Sequence, residues 1–170
     1  AALALVGRAS EKDPELAANL ERMTRAGARL TYVRADVTRP EEVREAVRDV
    51  RERLGEITAV FHGAGRNEPA ALHGLTERAF HDALAPKGDG LDAVLQALAP
   101  ERLRLLVSFG SIIGRAGLRG EAHYSTANDW LTEMVVEYGR THPHVRVLAL
   151  EWSVWAGTGM GERMGVVETL

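Results

Sequence analysis

The chain has 170 residues, 45% hydrophobic and 26% charged, with a formal net charge of −3 and no cysteine. Such a length and composition suit one globular domain with a sizeable core. The slight negative charge gives no footing for nucleic acid or an anionic membrane, the lack of thiols excludes disulfides and thiolate metal sites, and no apolar run nears the ~20 residues that span a bilayer. With no secretory signal in view, the expected compartment is the cytoplasm.

Residues 2–7 form an apolar run ending in Gly7, the pattern of a buried parallel strand, with Arg8 at its C-terminal end. Pro14 to Ala26 has helical periodicity, with Leu16, Leu20 and Met23 on one stripe and Gly27 closing it. Leu30 to Val33 reads as the next strand and leads into Asp36 and Val37. Thr38 followed by Glu41 is a capping-box pattern for a helix that ends at Leu54 and buries Val43, Ala46, Val47 and Val50. A third strand, Ile57 to Phe61, runs into His62, Gly63, Ala64 and Gly65. Residues 75–98 read as helix with a break at Pro86, Lys87 and Gly88.

Leu103 to Phe109 is the fourth strand, followed by a glycine-rich loop over Gly114, Gly117 and Gly120 and a helix from Ala122 to Tyr138. Val145 to Leu150 is the fifth strand, with Trp152, Ser153, Val154 and Trp155 in the loop beyond. Strands alternating with amphipathic helices imply an α/β fold, a Rossmann-like doubly wound parallel sheet flanked by helices. The chain starts inside a strand and stops inside a helix, so a domain truncated at both ends is expected over residues 1–170.

In an open parallel sheet, ligands bind outside the carboxyl ends of the strands. This chain places Arg8, Asp36, His62 to Gly65, Ser111 and Ser153 to Gly157 along that edge. Gly63 and Gly65 let backbone approach a ligand, Arg8 can fork onto a phosphate and Asp36 can accept from an amine. Together they suit an adenine nucleotide with an extra ribose phosphate. Tyr124 and Asn128 are four apart and share a helix face, and Ser111 at the strand end can reach the same space. Lys12 and Lys87 are the only lysines among 21 basic residues. Wherever a positive charge alone suffices this sequence uses arginine, so a mid-chain lysine suggests a chemical requirement. Taken singly, Tyr124 is a packing tyrosine, Ser111 a strand-end serine and Lys87 a solvated lysine. The six histidines show no metal-ligand spacing.

Lys87 with Gly90 in a Lys-x-x-Gly setting, Ser111 24 residues on, Tyr124 13 further and Asn128 4 further form a distinctive series. In it the sequence resembles the ketoreductase domains of type I polyketide synthases, a branch of the short-chain dehydrogenase/reductase family. The general family pairs Tyr-x-x-x-Lys on one helix; the polyketide branch exchanges that lysine with an upstream asparagine, as here. Leu5 to Arg8 is similar to the family's Leu-x-Ser-Arg cofactor segment, Ala35 to Val37 to its adenine-contacting turn, and His62 to Gly65 to its His-x-Ala-Gly segment. Trp152 to Met160 is similar to Trp-Gly-Pro-Trp...Gly-Met, with Ser153 and Val154 in place of Gly-Pro.

The resemblance implies NADPH-dependent reduction of a β-ketoacyl thioester, carried on the phosphopantetheine of an acyl carrier protein, with the other synthase domains as partners. It implies Tyr124, Ser111, Lys87 and Asn128 as catalytic residues. For the cofactor it implies Arg8, Asp36, Val37, Gly63, Ala64, Gly65, Lys87, Tyr124, Ser153 and Val154. The family's glycine-rich strand, loop and helix are not among these residues, so the chain alone is expected to bind NADPH poorly. The stereochemical markers of the family are also missing: Asn67, Glu68 and Pro69 stand where one branch has Leu-Asp-Asp, and Ala116 where another has Trp. Two other readings are a free-standing short-chain reductase, which the exchanged lysine argues against, and a reductively silent scaffold, which has no need of the four groups.

Overall fold

A computed structural model of the chain describes residues 2–154. The expected tail features, among them Trp155, Gly159, Met160 and the helix at Val166–Leu170, lie outside the described residues. The described residues divide into two compact units, 2–58 with 92–103, and 59–91 with 104–154.

In the first unit, β1 (Ala2–Gly7) pairs in parallel with β2 (Arg29–Arg34), and the crossover is α1 (Pro14–Arg25). The Asp13 carboxylate caps α1 by accepting from the Glu15 and Leu16 amides at 2.9 and 3.0 Å. Helix α2 (Pro40–Leu54) buries Val43, Ala46 and Val50 on one stripe, and Gly55 ends it at φ 86°. Two expectations fail here. Thr38 and Glu41 do not form a capping box: Thr38 donates to Asp36, and it is Glu42 that reaches back, accepting from the Asp36 amide at 2.8 Å. Strand β1 is also not buried, with Leu3 40% and Val6 45% exposed. A parallel strand is enclosed when helices cover both faces of its sheet, and among the described residues β1 stands in a two-stranded sheet with β2.

The second unit holds a parallel sheet in the order β3 (Ala59–His62), β4 (Leu105–Ser111), β5 (Arg146–Trp152). Central β4 is its most buried strand, and its register pairs His62 with Ser108 and Ser111 with Trp152. A single turn of 3₁₀ helix, Leu72–Gly74, precedes α3 (Glu77–Leu84). Helix α4 (Gly88–Ala97) starts in this unit and runs into the other. The expected break falls at residues 85–87. The stretch after β4, expected as loop, opens with a short helix, α5 (Ile112–Ala116), whose N-cap is Ser111: its hydroxyl accepts from the Ile113 amide at 3.3 Å. Helix α6 (Ala122–Thr141) packs Ala127, Leu131 and Val135 into the core with Leu106 and Val107. No described helix is long and apolar enough to cross a membrane.

Candidate active site

The four catalytic candidates all belong to the second unit. Strand β4 delivers Ser111 at its last residue, where the ladder gives way to α5. Helix α6 delivers Tyr124 and Asn128, one turn apart on its buried face and 8% and 1% exposed. Helices α5 and α6 are held together at this point: the Ser125 hydroxyl donates to the Ile113 carbonyl at 2.9 Å. Gly114 permits the contact, since a Cβ there would sit 2.9 Å from the Asp129 backbone nitrogen and 3.0 Å from the Asn128 Cβ.

Lys87 comes from the α3–α4 break and is 2% exposed. Its ammonium donates to the Phe109 carbonyl at 3.0 Å and stands 5.9 Å from the centroid of the Tyr124 ring. At that distance the cation faces the ring rather than bulk water. Burial depresses its pKa from 10.5 to about 8. The charge is retained at neutral pH, but the proton is held less tightly than on a surface lysine. Gly88 beside it allows the Trp130 indole to close over the break, because a Cβ on Gly88 would overlap that ring.

Burial raises the pKa of the Tyr124 phenol, while hydrogen-bonding interaction with the Asn128 and Ser111 side chains pulls it back. The phenol is kept protonated, the state a proton donor needs. The Asn128 carboxamide donates to the Tyr124 carbonyl at 2.7 Å, and its Oδ1 is a buried acceptor with no protein partner.

The cofactor candidates are divided between the units. Arg8, Asp36 and Val37 belong to the first; Gly63, Ala64, Gly65, Lys87, Tyr124, Ser153 and Val154 belong to the second. Arg8 is exposed at the end of β1, and its carbonyl accepts from Arg34 at 3.1 Å. Burial pushes the Asp36 carboxyl up, but hydrogen bonds from Thr38 and the nearby Arg8 and Arg39 outweigh it, so the group stays below its ordinary range. One Asp36 oxygen is committed to Thr38 at 2.8–2.9 Å, and a carboxylate has a second for an amine. Gly63 is exposed, and a Cβ on it would meet nothing closer than 3.8 Å.

Within the second unit, the groups present have the chemistry that a nicotinamide nucleotide needs. The Lys87 ammonium has donors beyond the one given to Phe109, the Asn128 Oδ1 lacks a partner, and Gly63 leaves backbone open to close approach.

Sequence reasoning missed several supports. The Tyr32 hydroxyl lies 2.9 Å from the Gly7 carbonyl and 2.8 Å from that of Ala9, and its single hydrogen is shared between these two acceptors on either side of Arg8. His123 Nε2 is 3.0 Å from the Glu68 carbonyl, tying the segment after β3 to the turn of α6 that holds Tyr124. The Phe109 carbonyl that receives Lys87 carries no side-chain signal, so only the register of β4 reveals it.

The sequence matches the KR domain family model over residues 1–157. It is 30% identical over 146 residues to polyketide synthase PksN of Bacillus subtilis (strain 168), a match covering 83% of this chain and 3% of that protein. The fold is similar to a ketoreductase domain from the bacillaene assembly line, with TM-score 0.82 and 26% identity, covering 98% of this chain and 42% of that one. It is also similar to an alcohol dehydrogenase from the archaeon Thermococcus sibiricus solved with 5-hydroxy-NADP, with TM-score 0.79 and 25% identity, covering 88% of this chain and 64% of that one.

Proposed function

The chain belongs to the KR domain family, the ketoreductase domains of type I polyketide synthases within the short-chain dehydrogenase/reductase superfamily, and from that membership we propose that it reduces a β-ketoacyl thioester to the β-hydroxyacyl thioester. The substrate in this reading is carried on the phosphopantetheine of an acyl carrier protein, the setting is a cytoplasmic synthase with further domains, and the reductant is NADPH. The chain spans a small fraction of the curated synthases it matches. In this reading a glycine-rich strand, loop and helix of the synthase join these residues in one ketoreductase domain.

The observation that carries the reading is a buried ammonium 5.9 Å from the centroid of a buried phenol ring, with a hydroxyl and a carboxamide interacting with the same phenol. A bound NADPH would supply the hydride to the carbonyl carbon. Tyr124 Oη gives its proton to the carbonyl oxygen as negative charge develops there. Ser111 Oγ donates a hydrogen bond to the same oxygen and orients the ketone. Lys87 stabilises the phenolate left behind and offers N–H donors to ribose hydroxyls, and Asn128 supports the route by which Tyr124 regains a proton. Arg8 would hold the 2′-phosphate that distinguishes NADPH, Asp36 and Val37 would take the adenine, and Gly63 to Gly65, Ser153 and Val154 would offer backbone to the cofactor.

Product analysis tests this. The full-length protein, given a β-ketoacyl thioester and NADPH, should yield the thioester heavier by two hydrogens, with NADH a poorer reductant. Recovery of unreduced thioester alone would refute the reading.

A further inference from the structure

His62 has no part in the proton transfer, yet it closes β3 beside the site. Its side chain is 5% exposed, and its Nε2 lies 3.0 Å from the Pro86 carbonyl, one residue before Lys87. That carbonyl is released by the local chain path. In a regular helix the Pro86 oxygen would accept from the Gly90 amide, four residues on. Here the Gly90 amide reaches past it to the Ala85 carbonyl at 2.8 Å, and the helical pattern resumes with Leu91 donating to Lys87 at 3.3 Å. A carbonyl left unpaired inside a protein is costly, and the imidazole pairs it.

We propose that His62 is a positioning residue for Lys87: its Nε2–H holds the Pro86 carbonyl and so pins the α3–α4 break from which the Lys87 side chain projects. The register of the sheet makes this a clamp with two points. His62 on β3 stands opposite Ser108 on β4, and the next residue of β4, Phe109, receives the Lys87 ammonium. One strand end therefore fixes the backbone before the lysine, and its neighbour fixes the tip of the side chain. Lysine has a flexible four-carbon stem, so both points are needed to hold its charge at one place. A carbonyl only accepts, which assigns the hydrogen of His62 to Nε2. Burial first, and the Lys87 charge in addition, lower the pKa of His62 to about 4 against the raising effect of its backbone hydrogen bonding to Pro86 and, more weakly, Lys87. At neutral pH the imidazole is uncharged and can sit by the ammonium without repelling it.

The catalytic consequence rests on the reductase reading; the clamp itself does not. The test uses His62→Leu and His62→Gln in the full-length protein, read by amide hydrogen exchange and by steady-state reduction. Glutamine carries an N–H at a reach similar to Nε2; leucine has none. In His62→Leu, exchange at residues 87–91 should quicken about tenfold with β4 and α6 unchanged, and kcat should fall about tenfold with KM within about twofold, as expected for a displaced catalytic group. His62→Gln should recover both to within about threefold. Unchanged exchange at 87–91 in folded His62→Leu, or a glutamine variant as impaired as leucine, would overturn the proposal. Should His62→Leu fail to fold, the comparison moves to His62→Gln against His62→Asn, whose shorter side chain falls short of Pro86: slower exchange at 87–91 in glutamine supports the clamp, and equal exchange overturns it. A wild-type protein that reduces nothing would end the reductase reading, while the exchange contrast would still decide the clamp.

Discussion

Lys87 is held where its charge is costly. The native lysine titrates near pH 8 because of burial, and the unfolded one near its ordinary 10.5. Below pH 8 both states keep the proton, and the fold carries the penalty of a buried charge. Between the two values the native state has released its proton while the unfolded chain still binds one, so stability rises with pH. Lys87→Met should therefore stabilise the protein at pH 7 by about 1–2 kcal/mol, allowing for the lost hydrogen bond to Phe109, and the gain should shrink as pH approaches 10. Urea unfolding of both proteins at the two pH values checks this, and the same substitution should abolish reduction. Ser111→Ala should lower kcat about a hundredfold by removing a donor from the carbonyl oxygen, and thermal melting should show a further cost of about 0.5–2 kcal/mol from the lost cap of α5. At this scale the sequence was informative wherever a residue type is chemically scarce. Lys87 stood out in an arginine-rich chain, and the spacing of Ser111, Tyr124 and Asn128 marked them. Tyr32, His62 and His123 were not legible in their roles, because their partners are backbone carbonyls.

The elements explain why those residues meet. Strand β4 ends in Ser111, α5 starts on the same residue, and Gly114 lets α5 lie against α6 at Asn128. Arg115 near the end of α5 forks onto Glu151 of β5 at 2.9 and 3.0 Å, which holds the short helix to the sheet. Gly114→Ala should cost about 1–3 kcal/mol, since the methyl meets backbone that cannot turn aside, and kcat should drop because Asn128 is displaced. Thermal melting with steady-state kinetics separates the two effects, and Gly117→Ala bears on backbone strain alone, since φ there is 68° and nothing lies within 4 Å of its Cβ. Long elements were readable from periodicity, as in α2 and α6. Helix α5 was not, because its five residues include a glycine and are too few to show a period. The capping box failed because Asp36 outcompetes the helix for Thr38, giving an Asx turn instead.

At the scale of the whole chain, the α/β class was legible because five apolar runs alternate with helical segments. The exposure of β1 was not, since it depends on which strands stand beside it rather than on its own composition. The proposed glycine-rich cradle from outside these residues has a direct consequence: the 170-residue chain titrated with NADPH should not saturate below about 1 mM, roughly 4 kcal/mol of binding. Saturation in the micromolar range would mean that these 170 residues suffice for the cofactor. In the proposed reaction the Tyr124 phenol, set among Ser111, Asn128 and Lys87, protonates a carbonyl as it is reduced. The most direct test is the rate of NADPH oxidation by the full-length protein with a β-ketoacyl thioester, compared with that of Tyr124→Phe. The wild type should oxidise NADPH steadily and the variant about a hundredfold or more slower, with its fold intact. Equal rates in the two proteins would contradict it.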